Sequence, residues 1–398
     1  MCRAFFTNDR RLRYFTPADD EPRPPRARGC LWLRGLICHF VMHLVYQHAG
    51  SADFSGDDFD EAYVLMERGL LSRTVGVHVI VPMLNVQFPS VAEDTPFRLT
   101  DDVSIVKLTR TMQIARMTPA LLLDPTTIGH ASHAFRLATD VANTHRGEAY
   151  SRAWEYLHER QRLLDALFAL LRLRFPVDTG YAQILLAADG WAPGWFLGLP
   201  QMDVDGVADR VPAQLRLDVP HDLDNLHSAR TKAPRMEILE RMRQDAGVVV
   251  TASGLEMALS RTAGSIVQSP VEDRLLDAVV GMEALLGDGS GEITYKVSVR
   301  AAAVYAYAGR NSLAGVENVT AYDVFGAYRK VYDRRSKIAH GVTLSKRDKR
   351  PIALNGETCD PLALAEDLLR IVIEACIANP ELMESGTVER KLLDGLES

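Results

Sequence analysis

The stretch from Tyr332 to Gly341, YDRRSKIAHG, gathers residue types that can break a phosphodiester. Arg335 stands five residues before His340, and Gly341 follows at once. Histidine titrates at about pH 6.5, so it can act as base or acid under physiological conditions. Arginine presents a fixed fork of donors to phosphate oxygens and keeps its charge. The reaction that suits this pair is RNA cleavage. There the 2′-OH attacks its own phosphate, so the chemistry requires neither a metal, nor a cofactor, nor an external nucleophile. What the protein must supply is proton transfer and charge neutralisation. Donors preorganised around the developing charge lower the barrier by about 3–4 kcal/mol each.

The spacing sets a geometric problem. At about 100° per residue, Arg335 and His340 lie about 140° apart on a regular helix. One helix does not aim both at one atom. Gly341 allows the helix to end at the histidine, and a second copy of the helix about a two-fold axis could supply the missing partner. Ser336 and His340, four apart, share a face. Nine cationic residues lie between Arg329 and Arg350, including Lys330, Arg334 and Lys337, against Asp333 and Asp348 alone. Such a strip suits a polyanion. The plainer reading is a solvated helix end whose histidine is favoured by the helix dipole.

The surrounding sequence resembles a known family. The stretches EDRLLDAVVGMEALLGDGSGEITYKVSVRAA (272–302) and YRKVYDRRSKIAHG (328–341) are similar to the Apea-like HEPN domain, with its Arg-x4–6-His signature. The likeness runs from Ser253 to Asn379, about a third of the chain. It implies a helical bundle that pairs as a homodimer. It also implies a metal-independent ribonuclease site at the dimer interface, with Arg335 and His340 as the catalytic pair. Many such proteins act in phage defence, toxin–antitoxin pairs or RNA processing. Ser336 falls where the family often has Asn, Asp or His. Arg334 offers an alternative spacing to the histidine. Glu283 matches an acidic position that would orient Arg335 or another motif residue, or else is a plain surface glutamate. Arg300 would reach phosphate or pair with Glu283; the plainer reading is a structural ion pair. Arg329, Lys330, Arg334 and Lys337 are the remaining candidates for RNA contact.

Other constellations carry less. His39 and His43 have the spacing of helical zinc ligands, but no glutamate follows His39. His130 and His133 read as loop or surface residues. Gly287-Asp-Gly-Ser-Gly291 lacks the Gly-Lys-Ser/Thr of a phosphate loop, so a helix–helix connection is expected. Trp191 and Trp195 could stack on bases but suit local core anchors better. No metal site is expected.

Helices must carry the candidate pair. Ser253 with Glu256, and Ser269-Pro270 with Glu272, read as capping boxes. Further helices are expected from about Ile293 to Ala308, from Thr320-Ala-Tyr-Asp323 to before Gly341, and from Asp360-Pro361 to about Ala378. Upstream the pattern is mixed. Strands are expected at Val77–Val81, Tyr181–Leu186 and Val211–Val219, with a long helix from Arg146 to Phe175 and a loop from Gly190 to Gly206. Residues 220–246 read as a charged connection. The expected class is α+β: an N-terminal arm (1–55), a mixed α/β domain (60–230), a helical domain (251–380) and a tail (381–398).

Composition bounds the rest. The 398 residues are 47% hydrophobic and 24% charged, ample for two cores. A net charge of −7 excludes a wholly basic nucleic-acid binder but not one basic face. Five cysteines without a CxxC suit a reducing cytosol. The first 28 residues hold seven arginines, and the apolar run from Leu31 to Tyr46 follows. Arg34, His39 and His43 interrupt that run, which falls short of the roughly 20 residues of a membrane span. A soluble cytoplasmic protein that acts on RNA is the expectation, with Met42 and Met66 as alternative starts. The competing expectation is a non-catalytic module that binds RNA or a partner protein.

Overall fold

The computed structural model describes residues 40, 56–109, 112–113, 129, 131–143, 148–175, 177, 179–181, 183–188, 230–263, 270–287, 292–342, 345, 350–384 and 386–394. The chain is α+β, with antiparallel sheet and many helices. It divides into two compact units. Among described residues, the first runs to Arg160 and resumes from Thr179 to Met236, and the second takes Gln161 to Val177 and everything from Glu237. No helix among the described residues is long and apolar enough to cross a membrane.

The first unit contains helix α1 (Gly56–Leu71) and strands β1 (Thr74–Pro82), β2 (Phe97–Arg98), β3 (Val103–Lys107), β4 (His133–Ala142) and β5 (Leu185–Ala188). They form one antiparallel sheet in the order β2-β3-β4-β1-β5. Strand β1 lies between β4 and β5 and is rich in valine, a residue that packs well on a pleated surface. Val77, Val79, Ile80 and Val81 are all buried. The strand expected at Tyr181–Leu186 begins later, at Leu185, where pairing with Ile80 starts. His133, expected in a loop or at the surface, is buried on β4 instead. Its ring meets the Ser132 hydroxyl and the Val91 carbonyl, and burial lowers its pKa.

Helix α2 (Glu148–Arg174) matches the expected long helix within two residues at its start and one at its end, and the boundary between units falls inside it. The second unit continues with α3 (Met236–Thr251), α4 (Ser253–Ala263), α5 (Val271–Leu286), α6 (Ile293–Tyr307), the hairpin β6 (Ser312–Leu313) and β7 (Val316–Glu317), and α7 (Ala321–Ala339). Hairpin β8 (Ile352–Leu354) and β9 (Glu357–Cys359) follows, then α8 (Pro361–Ala378), a 3-10 turn and α9 (Thr387–Asp394). Helices α5 and α8 are central: α5 packs on α4, α6, α7 and α8. Gly281 lets α5 approach, since a Cβ there would stand 3.0 Å from Leu369 of α8. Leu364, Leu368, Leu369, Val372 and Cys376 of α8 are buried in the same core.

Three expectations for this unit are corrected. The charged connection at 220–246 turns helical from Met236, because Leu239, Met242, Ala246 and Val249 recur at helical spacing and are buried. Ser253 is the first residue of α4, and the Glu256 N–H bonds the Ala252 carbonyl as the helix's opening bond. Pro270 is the N-cap of α5, not its first residue. The tail carries α9, tied down by an ion pair between Lys391 and Glu381. The N-terminal arm apart from Phe40, the loop at 190–206 with Trp191 and Trp195, and the strand at 211–219 lie outside the described residues, as do Ser269, His39, His43 and His130.

Candidate functional site

Helix α7 carries the candidate pair, and local chemistry sets both of its ends. At the start, the Thr320 hydroxyl accepts from the Asp323 N–H while the Asp323 carboxylate accepts from the Thr320 N–H. This reciprocal cap satisfies two backbone donors that the first turn leaves unpaired. A hydrogen bond from the Thr320 hydroxyl, and then the one from its N–H, holds the Asp323 carboxyl below its ordinary pKa. At the other end, the Gly341 N–H bonds the Ile338 carbonyl and the Val342 N–H bonds the Lys337 carbonyl. That pairing is a Schellman motif. It requires φ of +68° at residue 341, a conformation that glycine adopts freely. His340 is therefore the last residue before the chain turns away, and its side chain is exposed.

The inner face of α7 is Val324, Ala327, Tyr328, Val331 and Tyr332, all buried. It lies against α5 and α6. This packing brings Glu283 of α5 to Arg335. The Arg335 Nη2 donates to Glu283 Oε2 at 3.1 Å, and the Tyr332 hydroxyl donates to Glu283 Oε1 at 2.5 Å. The guanidinium also sits 5.6 Å from the centre of the Tyr332 ring, within cation–π range. One carboxylate thus holds two side chains a turn apart on the facing helix. Burial, and then the bond to Glu283, pushes the Tyr332 phenol up to about 12. Tyr328 lies deeper; burial raises its pKa, and the Glu283 charge adds to that. The Tyr328 hydroxyl and the Arg335 Nε are buried without hydrogen-bond partners.

The structure separates the other candidates. Arg334 donates to the Arg350 carbonyl. Arg335 is held by the Glu283 carboxylate. Ser336 is half-buried and gives its carbonyl to the His340 N–H. Arg329, Lys330 and Lys337 are exposed along α7. Arg300 takes the structural ion pair: it is only 6% exposed, and its Nε donates to Glu389 at 2.6 Å and its Nη1 to the Leu286 carbonyl at 2.7 Å. Its donors pin α9 and the end of α5. Of the basic strip, Lys346, Arg347 and Lys349 lie outside the described residues.

Arg335 and His340 do not bond one another. The one is fixed against α5 and the other stands free of the helix end, as their angular separation on α7 requires. Sequence reading missed Tyr332 and Tyr328 as members of the cluster. Tyr332 lies three residues before Arg335, but only the packing of α5 on α7 shows that both reach one glutamate. Elsewhere in the second unit, a cavity of about 540 Å³ has Arg261, Arg274 and Arg370 in its wall. These close ion pairs with Asp277, Glu366 and Asp367 respectively, so their charge is already matched. Among the described residues, no group of three or more His, Cys, Asp or Glu side chains is placed to hold a metal ion. Compared with family models, curated proteins and solved structures, the chain matches none.

Proposed function

We propose that this chain is a metal-independent endoribonuclease of the Apea-like HEPN kind, acting as a homodimer through its second unit. The 2′-OH attacks the adjacent phosphorus, the 5′-oxygen leaves, and a 2′,3′-cyclic phosphate and a 5′-hydroxyl result. In this reading His340 takes the proton from the 2′-OH or gives one to the leaving oxygen. Arg335 neutralises the charge that develops on the phosphate. Glu283 and Tyr332 are positioning residues that fix the guanidinium, and Ser336 offers a hydroxyl one turn from His340. Arg329, Lys330, Arg334 and Lys337 lie along the same basic helix and contribute positive potential toward the strand. Because Arg335 and His340 diverge on one helix, the complete site draws on two copies of α7. The cytoplasm is the compartment this reading implies, and phage defence or a toxin-like role the biology.

The supporting observation is Arg335 held by Glu283 and Tyr332 while His340 stands exposed on a Schellman turn of the same helix. The test is cleavage of unpaired RNA by the full chain in EDTA, with product ends analysed. The expected result is 2′,3′-cyclic phosphate ends and a loss of roughly a hundredfold or more for His340→Ala and for Arg335→Ala. Cleavage that survives both substitutions overturns the proposal. A second reading, a non-catalytic module that binds RNA or a partner protein, draws on the same ion pair. Glu283 already matches the Arg335 charge. It predicts binding with RNA left intact.

A further inference from the structure

Helix α7 presents more than its C-terminal end. At 100° per residue, Tyr322, Phe325, Arg329, Ser336 and His340 fall on one stripe. Tyr322 is 82% exposed, and Tyr295 of α6 is 53% exposed. Tyr295 stands edge-on to Phe325 at 5.8 Å, and the Arg329 guanidinium lies 5.6 Å from the centre of the Phe325 ring. Among the described residues Arg329 has no carboxylate partner. Two open tyrosine rings and a cation on a phenyl ring thus occupy the end of α7 away from His340.

We propose that this stripe is a base-stacking lane for unpaired RNA. Bases stack on Tyr322 and Tyr295, Arg329 meets the backbone phosphate, and the strand runs along α7 toward His340. The proposal rests on the reading of this chain as an RNA-cleaving protein and names the form of RNA it takes. Every base has a π face, so aromatic platforms hold a strand without regard to sequence. In a duplex those faces are stacked within the helix and closed to side chains. The lane therefore selects unpaired RNA by access alone. The 19 residues of α7 span roughly 28 Å, room for several nucleotides. Charge complementarity favours a polyanion as the occupant. Arg329, Lys330 and Lys337 are exposed along the helix, Asp323 is engaged in its own cap, and Asp333 is the one exposed acid between them.

The test is fluorescence anisotropy in EDTA with the full chain carrying His340→Ala. The probes are a labelled unpaired RNA dodecamer and the same sequence as a duplex. Tyr322→Ala and Tyr295→Ala each weaken binding of the unpaired probe roughly tenfold. Tyr322→Phe, which keeps the ring, retains it, and duplex binding moves less than twofold. Unchanged affinity in both alanine variants overturns the lane, as do an equal loss for the duplex and failure of the unpaired probe to bind. Sedimentation velocity adds another arm: a dimer lost on Tyr322→Ala makes the patch an interface between copies and overturns the lane. The two readings fail separately. Intact binding in the tyrosine variants of a chain that cleaves RNA through His340 sinks the lane alone. Stacking-dependent binding by a chain that never cleaves RNA sinks the ribonuclease alone.

Discussion

Glu283 turns Arg335 from a pendant cation into a placed one. A long arginine side chain loses rotamer freedom when it is held, and the loss is offset here by a charged acceptor and a neighbouring ring. Both partners are mostly buried, with side-chain exposures of 25% for Arg335 and 17% for Glu283. Removing the carboxylate leaves a buried hydroxyl and a guanidinium unmatched. Glu283→Ala is accordingly expected to lower stability by about 1–3 kcal/mol, measured by urea unfolding. RNA cleavage should fall with it. The Tyr332 phenol adds a pH signature. Its pKa is held near 12 in the folded chain against an ordinary value of about 10. The folded state therefore keeps a proton that the unfolded state gives up. The contribution is full below about pH 10 and is lost as pH climbs toward 12. Unfolding midpoints across that window should fall less steeply for Tyr332→Phe than for the parent chain. An identical slope in both would assign the alkaline loss to other groups.

At the scale of elements, the ends of α7 are where sequence acts most directly. Thr320 and Asp323 cap each other, so Thr320→Ala should cost about 1 kcal/mol by urea unfolding. Gly341 has a conformation that a Cβ disfavours, and open space surrounds it. Gly341→Ala should cost roughly 1 kcal/mol through backbone strain alone, and it should also displace His340. Gly254 is a different case: a Cβ there would stand 2.6 Å from the Ala284 carbonyl oxygen of α5. Backbone has to move to admit it, so Gly254→Ala should cost about 1–3 kcal/mol. Equal effects at the two glycines would contradict this distinction between strain and crowding. The caps at Thr320 and Asp360 were legible in the sequence because each is a side chain bonding backbone within three residues. The α3 helix was also written there, in the spacing of Leu239, Met242, Ala246 and Val249, but its charged residues obscured it.

For the whole molecule, the divergence of Arg335 and His340 on one helix makes the assembly part of the proposal. A site that takes arginine from one copy and histidine from the other has a distinctive genetic behaviour. Arg335→Ala and His340→Ala chains, each inactive alone, should recover a fraction of the cleavage when mixed and allowed to exchange. In each mixed dimer one of the two sites then holds both groups intact. No recovery despite demonstrated exchange would place both groups within a single copy.

The sequence by itself determined where α7 and α8 begin and end, because caps, proline and glycine act over three or four residues of neighbouring chain. It also marked Arg335 and His340 as groups able to handle a phosphate. Only the tertiary structure decided which charges meet. Glu283 lies 52 positions from Arg335, and Arg300 reaches Glu389 in a stretch that read as a tail. Both pairings depend on how α5 and α6 are rotated against their neighbours. That rotation is set by the fit of many buried side chains at once and by no local signal.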